Sequence, residues 1–248
     1  MPTLIAWGNV HQNYPFEKMP QPILAWLETK ISDPANNFIN QSVQNKRLLR
    51  KIGYFLLWRL LHRHQLEHYF NYPFIKSEKG RPSFLIPENI IPKIDFNLSH
   101  SGDWVAVIVS INTNNLYSGI LKVGIDIESP QKKRNFLRLL HYYATENEIR
   151  WWQKQVDQEK AFYQSWCCRE AILKSSGIGI VGLSDVIFEA ENNKFITQHC
   201  PIGNVIFFSK LPFYLACFSQ ENEISCFEWN GELTIKEHLE AKFFSLTI

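Results

Sequence analysis

The sequence predicts an α+β protein of two halves of similar size, and three observations carry that prediction. Each half has helical material followed by β-prone runs. A polar, turn-rich stretch from Asn112 to Gly119 lies between them, which gives an N-terminal α+β subdomain over 1–116 and a C-terminal one over 117–248. The chain has 248 residues, 45% of them hydrophobic and 14% aromatic, so each half has the apolar material for a core.

In the first half, residues 20–31 and 44–70 carry the helical pattern. Within "NKRLLRKIGYFLLWRLLHRHQLEHYF", Leu48, Ile52, Phe55, Leu56 and Leu60 recur at threes and fours, and Asn71 to Pro73 should stop the helix. Lys79-Gly80-Arg81-Pro82 reads as a turn. "KIDFNLSHSGDWVAVIVSI" reads as a short strand, a Ser/Gly-rich loop and a second, strongly β-prone strand. In the second half "LKVGIDIE" is a strand and helical patterns cover 133–154 and 159–176. The tail carries the β runs "SDVIFEA", "KFITQHC", "NVIFFSKL", "FYLACFSQ" and "ISCFEWN".

Composition narrows the function. A net charge of +2 is too small to argue for a nucleic-acid binder, and no nucleic-acid partner is expected. "MPTLIAWGNVHQNYPF" has no basic region followed by an apolar run, and "IGYFLLWRLLHRH" is broken by Arg59 and falls short of the ~20 residues of a membrane span. A cytoplasmic protein with no membrane partner is expected. Five cysteines, odd in number and without CxxC spacing, read as reduced, buried thiols.

Three stretches carry chemistry. In "KVGIDIES", strand alternation puts Val123, Ile125 and Ile127 toward a core, with Gly124, Asp126 and Glu128 on the other face and the carboxylates about 7 Å apart. Both can reach one hard cation; the bland alternative is the exposed face of a half-buried strand. In "FYQSWCCREAILKSSGIG", Glu170 and Lys174 are spaced i, i+4 on one helix face, which taken alone is a surface ion pair. Cys167 and Cys168 differ by ~100° around a helix, so they are packing residues and not a metal pair. In "FNLSHSGDW", Asn97, Ser99, His100 and Ser101 suit a phosphate, with a Ser-His nucleophile as the weaker reading.

In combination, the GRP turn, "FNLSHS", "GIDIE" and "W..REA..K" resemble the 4'-phosphopantetheinyl transferases of the double-length, surfactin-synthetase type, along Gly80 to Gly179. The resemblance implies a pseudo-dimer of two α/β subdomains with the active site at their interface. It implies transfer of the phosphopantetheine arm of coenzyme A, the co-substrate, to a serine of an apo acyl or peptidyl carrier protein, leaving adenosine 3',5'-bisphosphate. By the family's pattern Asp126, Glu128 and Glu170 hold Mg²⁺, with Mn²⁺ as a substitute. Glu170 or a metal-bound water takes the serine proton, and Lys174 steadies the attacked phosphate while helping to keep Glu170 ionised. Arg81 and His100 grip the 3'-phosphate with Ser99 nearby, and Arg47 is a further contact for the nucleotide. A monomer is expected, because the halves supply both walls of the cleft.

Departures from the family pattern are Arg169 where many relatives have Lys, the Cys167-Cys168 pair, the long "NTNNLYSGI" connection and the Asn/Gln-rich "NNFINQSVQNK" before Arg47. Fatty-acid, polyketide, peptide-synthetase and lysine-pathway carriers all fit. Carriers of this family are acidic, so Lys46, Arg47, Arg50, Lys51 or Lys132–Arg134 are candidate docking cations. A fold-retaining binding module and a Ser-His hydrolase using Ser99 or Ser101 are the alternatives.

Overall fold

The computed structural model describes residues 3–29, 41–113, 119–131 and 134–248. Its elements run β1 (Thr3–Asn9), α1 (Gln21–Thr29), α2 (Gln41–Arg63), β2 (Phe74–Lys76), β3 (Pro82–Phe84), β4 (Lys93–Ser101), β5 (Trp104–Asn112), β6 (Val123–Glu128), α3 (Phe136–Leu140), α4 (Glu146–Gln153) and α5 (Gln158–Ser176). The remaining strands are β7 (Ile187–Glu189), β8 (Lys194–Ile196), β9 (Gly203–Phe208), β10 (Tyr214–Ser219), β11 (Ile224–Trp229), β12 (Leu233–Ile235) and β13 (Ala241–Thr247). The α+β class expected from the sequence is what the chain forms.

One sheet has the order β12-β11-β1-β5-β4 and a second has β6-β10-β9-β13-β8-β7; β2 and β3 form a small hairpin. Strand alternation gives each sheet two apolar faces. Leu4 and Ala6 of β1 and Val105, Val107 and Val109 of β5 pack on α2, through Ile52, Phe55 and Leu56. Val205, Phe207, Ala216 and Phe218 of β9 and β10 pack on α5, through Cys168, Ala171 and Ile172. The two inner faces meet through Ile5, Trp7, Ile108, Ile125, Ile127, Leu215 and Cys217. The layers are therefore helix, sheet, sheet, helix.

The sheets do not follow the ranges 1–116 and 117–248. β11 runs parallel to β1 inside the first sheet and carries β12 beside it. Most of the 112–119 connection lies outside the described residues. β1 and β13, both interior to their sheets, went unread in the sequence, although "TLIAW" is a short apolar run.

Local chemistry moved three boundaries. The long helix ends at Arg63 and not at Asn71: Gln65 adopts a left-handed φ of 59°. Its N–H reaches the His62 carbonyl while Leu66 N–H reaches Leu61 O, the bonding of a Schellman cap. The 133–154 pattern is two helices, because Asn135 and Thr145 each cap a separate one. The Ser/His stretch is not a loop but the end of β4, turned into β5 at Gly102 with φ 57°.

Candidate active site

The edge strands β4 and β6 meet without forming a common ladder. Alternate side chains of β4 replace it. Asp95 Oδ2 accepts Val123 N–H at 2.9 Å, Asn97 Oδ1 accepts Ile125 N–H at 3.1 Å, Ser99 Oγ accepts Ile127 N–H at 3.4 Å and Ser101 Oγ accepts Ser129 N–H at 3.0 Å. Each pair is 28 residues apart in the chain. Period-two alternation on two extended strands requires that constant offset. The seam satisfies the edge N–H groups of β6 and fixes its register, so it also sets where Asp126 and Glu128 stand.

β6 is covered on both faces. Val123, Ile125 and Ile127 face the inter-sheet core as expected, and the other face lies under α5. A Cβ on Gly124 would stand 2.0 Å from Ala171 O and 2.8 Å from Ser175 N. Glycine is thus what lets α5 lie against the strand, and the exposed-face reading of this strand is excluded.

That close approach brings Lys174 to Asp126 and not into the i, i+4 pair with Glu170 anticipated from spacing. Lys174 Nζ donates to Asp126 Oδ1 at 2.6 Å and to Ser99 Oγ at 3.1 Å. Ser99 Oγ also donates to Asp126 Oδ1, at 3.0 Å. Glu128 is forked by Arg134 and accepts Ser101 Oγ at 2.9 Å. Glu170 is not held fully ionised by Lys174: burial, then the charge of Asp126, lift its pKa from 4.5 to about 7, with Lys174 offsetting in part and Glu128 adding to the rise.

Among the described residues, no group of three or more His, Cys, Asp or Glu stands in metal-holding geometry. Yet Asp126 Oδ2 is buried with no hydrogen-bond partner. Three carboxylates face two cations, Lys174 and Arg134. An orphaned carboxylate oxygen beside excess negative charge, in an all-oxygen donor set, fits a hard divalent cation.

The residues expected to bind the anion divide. His100 is exposed at the end of β4; desolvation, then the charges of Lys174, Arg50 and Lys46, lower its pKa. The sequence offers Lys46 and Arg50 as docking cations, and their i, i+4 spacing on α2 puts them on one helix face. Arg47 is half-buried and lines a cavity of about 140 Å³ with Leu24, Leu27 and Glu28 of α1. Arg81 sits at the seam: it forks Asp95 at 2.8 and 2.7 Å and donates to Lys174 O at 2.8 Å and Val123 O at 2.9 Å. Four of the five guanidinium N–H donors are thereby engaged.

Ser99 points to β6 while His100, its neighbour on a strand, points to the opposite face. No Ser-His nucleophile pair is built from them. Arg169 is far from a solvent-facing role: it is fully buried, forks Glu148 and donates to Val186 O at 2.9 Å. Cys167 and Cys168 are free and fully buried. Burial and the charges of Asp126 and Glu128 hold the Cys167 thiol neutral, so it packs beneath the site. Lys132 and Lys133 lie outside the described residues. No helix among the described residues is long and apolar enough to cross a membrane.

Compared with known proteins, residues 122–227 match the sequence profile of the 4'-phosphopantetheinyl transferase superfamily. A Haemophilus influenzae protein named provisionally as a 4'-phosphopantetheinyl transferase is 40% identical over 240 residues, 96% of this chain and 96% of its own length. The 4'-phosphopantetheinyl transferase gsp of Aneurinibacillus migulanus is 28% identical over 159 residues, 58% of this chain and 60% of that protein. The 4'-phosphopantetheinyl transferase psf-1 of Bacillus pumilus is 37% identical over 95 residues, 38% of this chain and 37% of that protein.

Proposed function

The chain belongs to the 4'-phosphopantetheinyl transferase superfamily, and from that membership we propose that it moves the 4'-phosphopantetheine arm of coenzyme A onto a serine of an apo acyl or peptidyl carrier protein. Adenosine 3',5'-bisphosphate is the second product. The observation that carries the reading is the meeting of Asp126 and Lys174 at 2.6 Å, with Glu170 one turn away on the same helix and its pKa near 7.

Asp126, Glu128 and Glu170 are the residues that would hold Mg²⁺ or Mn²⁺, supported by the orphaned Asp126 Oδ2. When bound, the cation neutralises the pyrophosphate and polarises the attacked phosphorus centre. The chain's own groups do the rest. Lys174, an ammonium on the carboxylate wall, steadies the phosphate at which the serine attacks. We assign the serine proton to Glu170, the carboxylate one turn from Lys174 on α5. His100, Lys46 and Arg50 form the electropositive wall for the 3'-phosphate, with Arg47 further along α2. Arg81 ties α5, β4 and β6 together at Lys174, Asp95 and Val123 and so holds the carboxylate wall in place, with one N–H left for a phosphate oxygen. Both walls come from one chain, so a monomer is the working unit.

Mass spectrometry tests this directly. A carrier incubated with the protein, coenzyme A and Mg²⁺ should gain the mass of one phosphopantetheine arm, and chelator should prevent it. Asp126→Ala, Glu128→Ala and Glu170→Gln should fold and fail to transfer. No mass gain across fatty-acid, polyketide and peptide-synthetase carriers would leave only a binding module of the same fold.

A further inference from the structure

Glu128 is held by a different device from Asp126. Arg134, beyond the end of β6, places Nη2 2.9 Å from Glu128 Oε2 and Nη1 3.3 Å from Oε1. The guanidinium lies over the Tyr163 ring, 5.7 Å from its centroid, and Ser101 supports the same carboxylate from β4. The Arg134 and Glu128 side chains are 24% and 14% exposed, so water reaches the pair but does not separate it. A two-point fork engages both oxygens of the carboxylate that the metal reading assigns to the cation.

We propose that Arg134 is a built-in competitor for the divalent cation: it occupies Glu128 until the cation displaces it, so cation binding and release of Arg134 are one coupled exchange. The inference rests on the metal reading given under Proposed function. The physical ground is that the guanidinium and a divalent cation are drawn to the same two carboxylate oxygens and, both being positive, repel each other there. Coupling of this kind is reciprocal, so weakening the fork must strengthen the cation. A role in merely orienting Glu128 makes the opposite prediction, because an unforked Glu128 would then be a worse ligand.

Mn²⁺ binding to the whole chain decides between them, read by electron paramagnetic resonance of the free ion and by calorimetry, with no substrate present. Arg134→Gln should bind Mn²⁺ at least about fivefold more tightly than the wild type. Arg134→Lys, which keeps charge but cannot fork, should fall between the two. Equal or weaker binding by Arg134→Gln, in a wild type that does bind, overturns the inference and leaves the metal reading intact. Binding by Arg134→Gln alone supports it. Binding by neither overturns the metal reading together with the inference. Should Arg134→Gln fail to give a folded chain by circular dichroism, Arg134→Lys decides: tighter than wild type supports, equal or weaker overturns.

Discussion

Ser99 Oγ donates to Asp126 Oδ1 at 3.0 Å across the seam between the two sheets, and the same hydroxyl accepts the Ile127 N–H at 3.4 Å. One side chain of the first sheet thus holds both a carboxylate and the backbone beside it in the second. Ser99→Ala should cost about 1 kcal/mol in urea denaturation, since a buried N–H loses its partner. It should also lower kcat of transfer with little change in KM for coenzyme A. A rise in KM with kcat unchanged would show instead that Ser99 grips the co-substrate directly.

Gly124→Ala should do more damage than its size suggests. The added methyl meets the backbone of α5, at Ala171 O, which cannot swing aside as a side chain could. Overpacking of this kind costs about 1–3 kcal/mol, and here it also lifts Lys174 off Asp126. Thermal melts should show the loss, and transfer should fall at least about tenfold in the protein that remains folded. Wild-type kcat in a folded Gly124→Ala would contradict the account of this contact.

Glu170 makes stability depend on pH. Burial, followed by Asp126, raises its pKa from 4.5 to about 7, so between those values the folded chain holds a proton that the unfolded chain has released. The contribution is present below about 4.5 and is lost as pH rises through about 7. Without added metal, the chain should lose on the order of 2 kcal/mol between about pH 5 and pH 8 from this group. Glu170→Gln should flatten that slope in urea melts, and an equal slope in the variant would refute the assignment.

Arg169 supplies structure and not chemistry. Arg169→Met strands the Glu148 carboxylate in a core where both side chains are fully buried, which costs about 3–5 kcal/mol. Arg169→Lys keeps the charge but loses the fork and should fall between. Turnover per folded molecule should stay within about twofold in the Lys variant. A hundredfold drop there, with melting unchanged, would return Arg169 to the reaction.

The motif residues were legible because strands and helices repeat with short, fixed periods. Asp126 and Glu128 on one face, and Glu170 one turn from Lys174, follow from periods of 2 and 3.6. The stripe Asp95, Asn97, Ser99, Ser101 has the same period of 2, but after a short strand its Ser-rich end beside Gly102 reads locally as a loop. Only pairing with β5 from Lys93 to Ser101 shows that they are strand. Nothing in the sequence marks the partners of Arg81, Arg134 and Arg169; each is forked to a carboxylate, 14, 6 and 21 residues away respectively. Spacing along the chain holds no information about such partners beyond one helix turn.

The sequence alone determined the α+β class, the strand that bears Asp126 and Glu128 and the helix that bears Glu170 and Lys174, because local sterics and hydrophobic alternation act over a few residues. Tertiary structure alone decided which cation belongs to which carboxylate. Helix geometry permits Lys174 to pair with Glu170, but the absence of a Cβ at Gly124 lets α5 sink onto β6 and puts Asp126 closer. In that part-buried setting an ammonium beside a carboxylate is worth more than the same pair in water, so the contact across the sheet prevails over the contact along the helix.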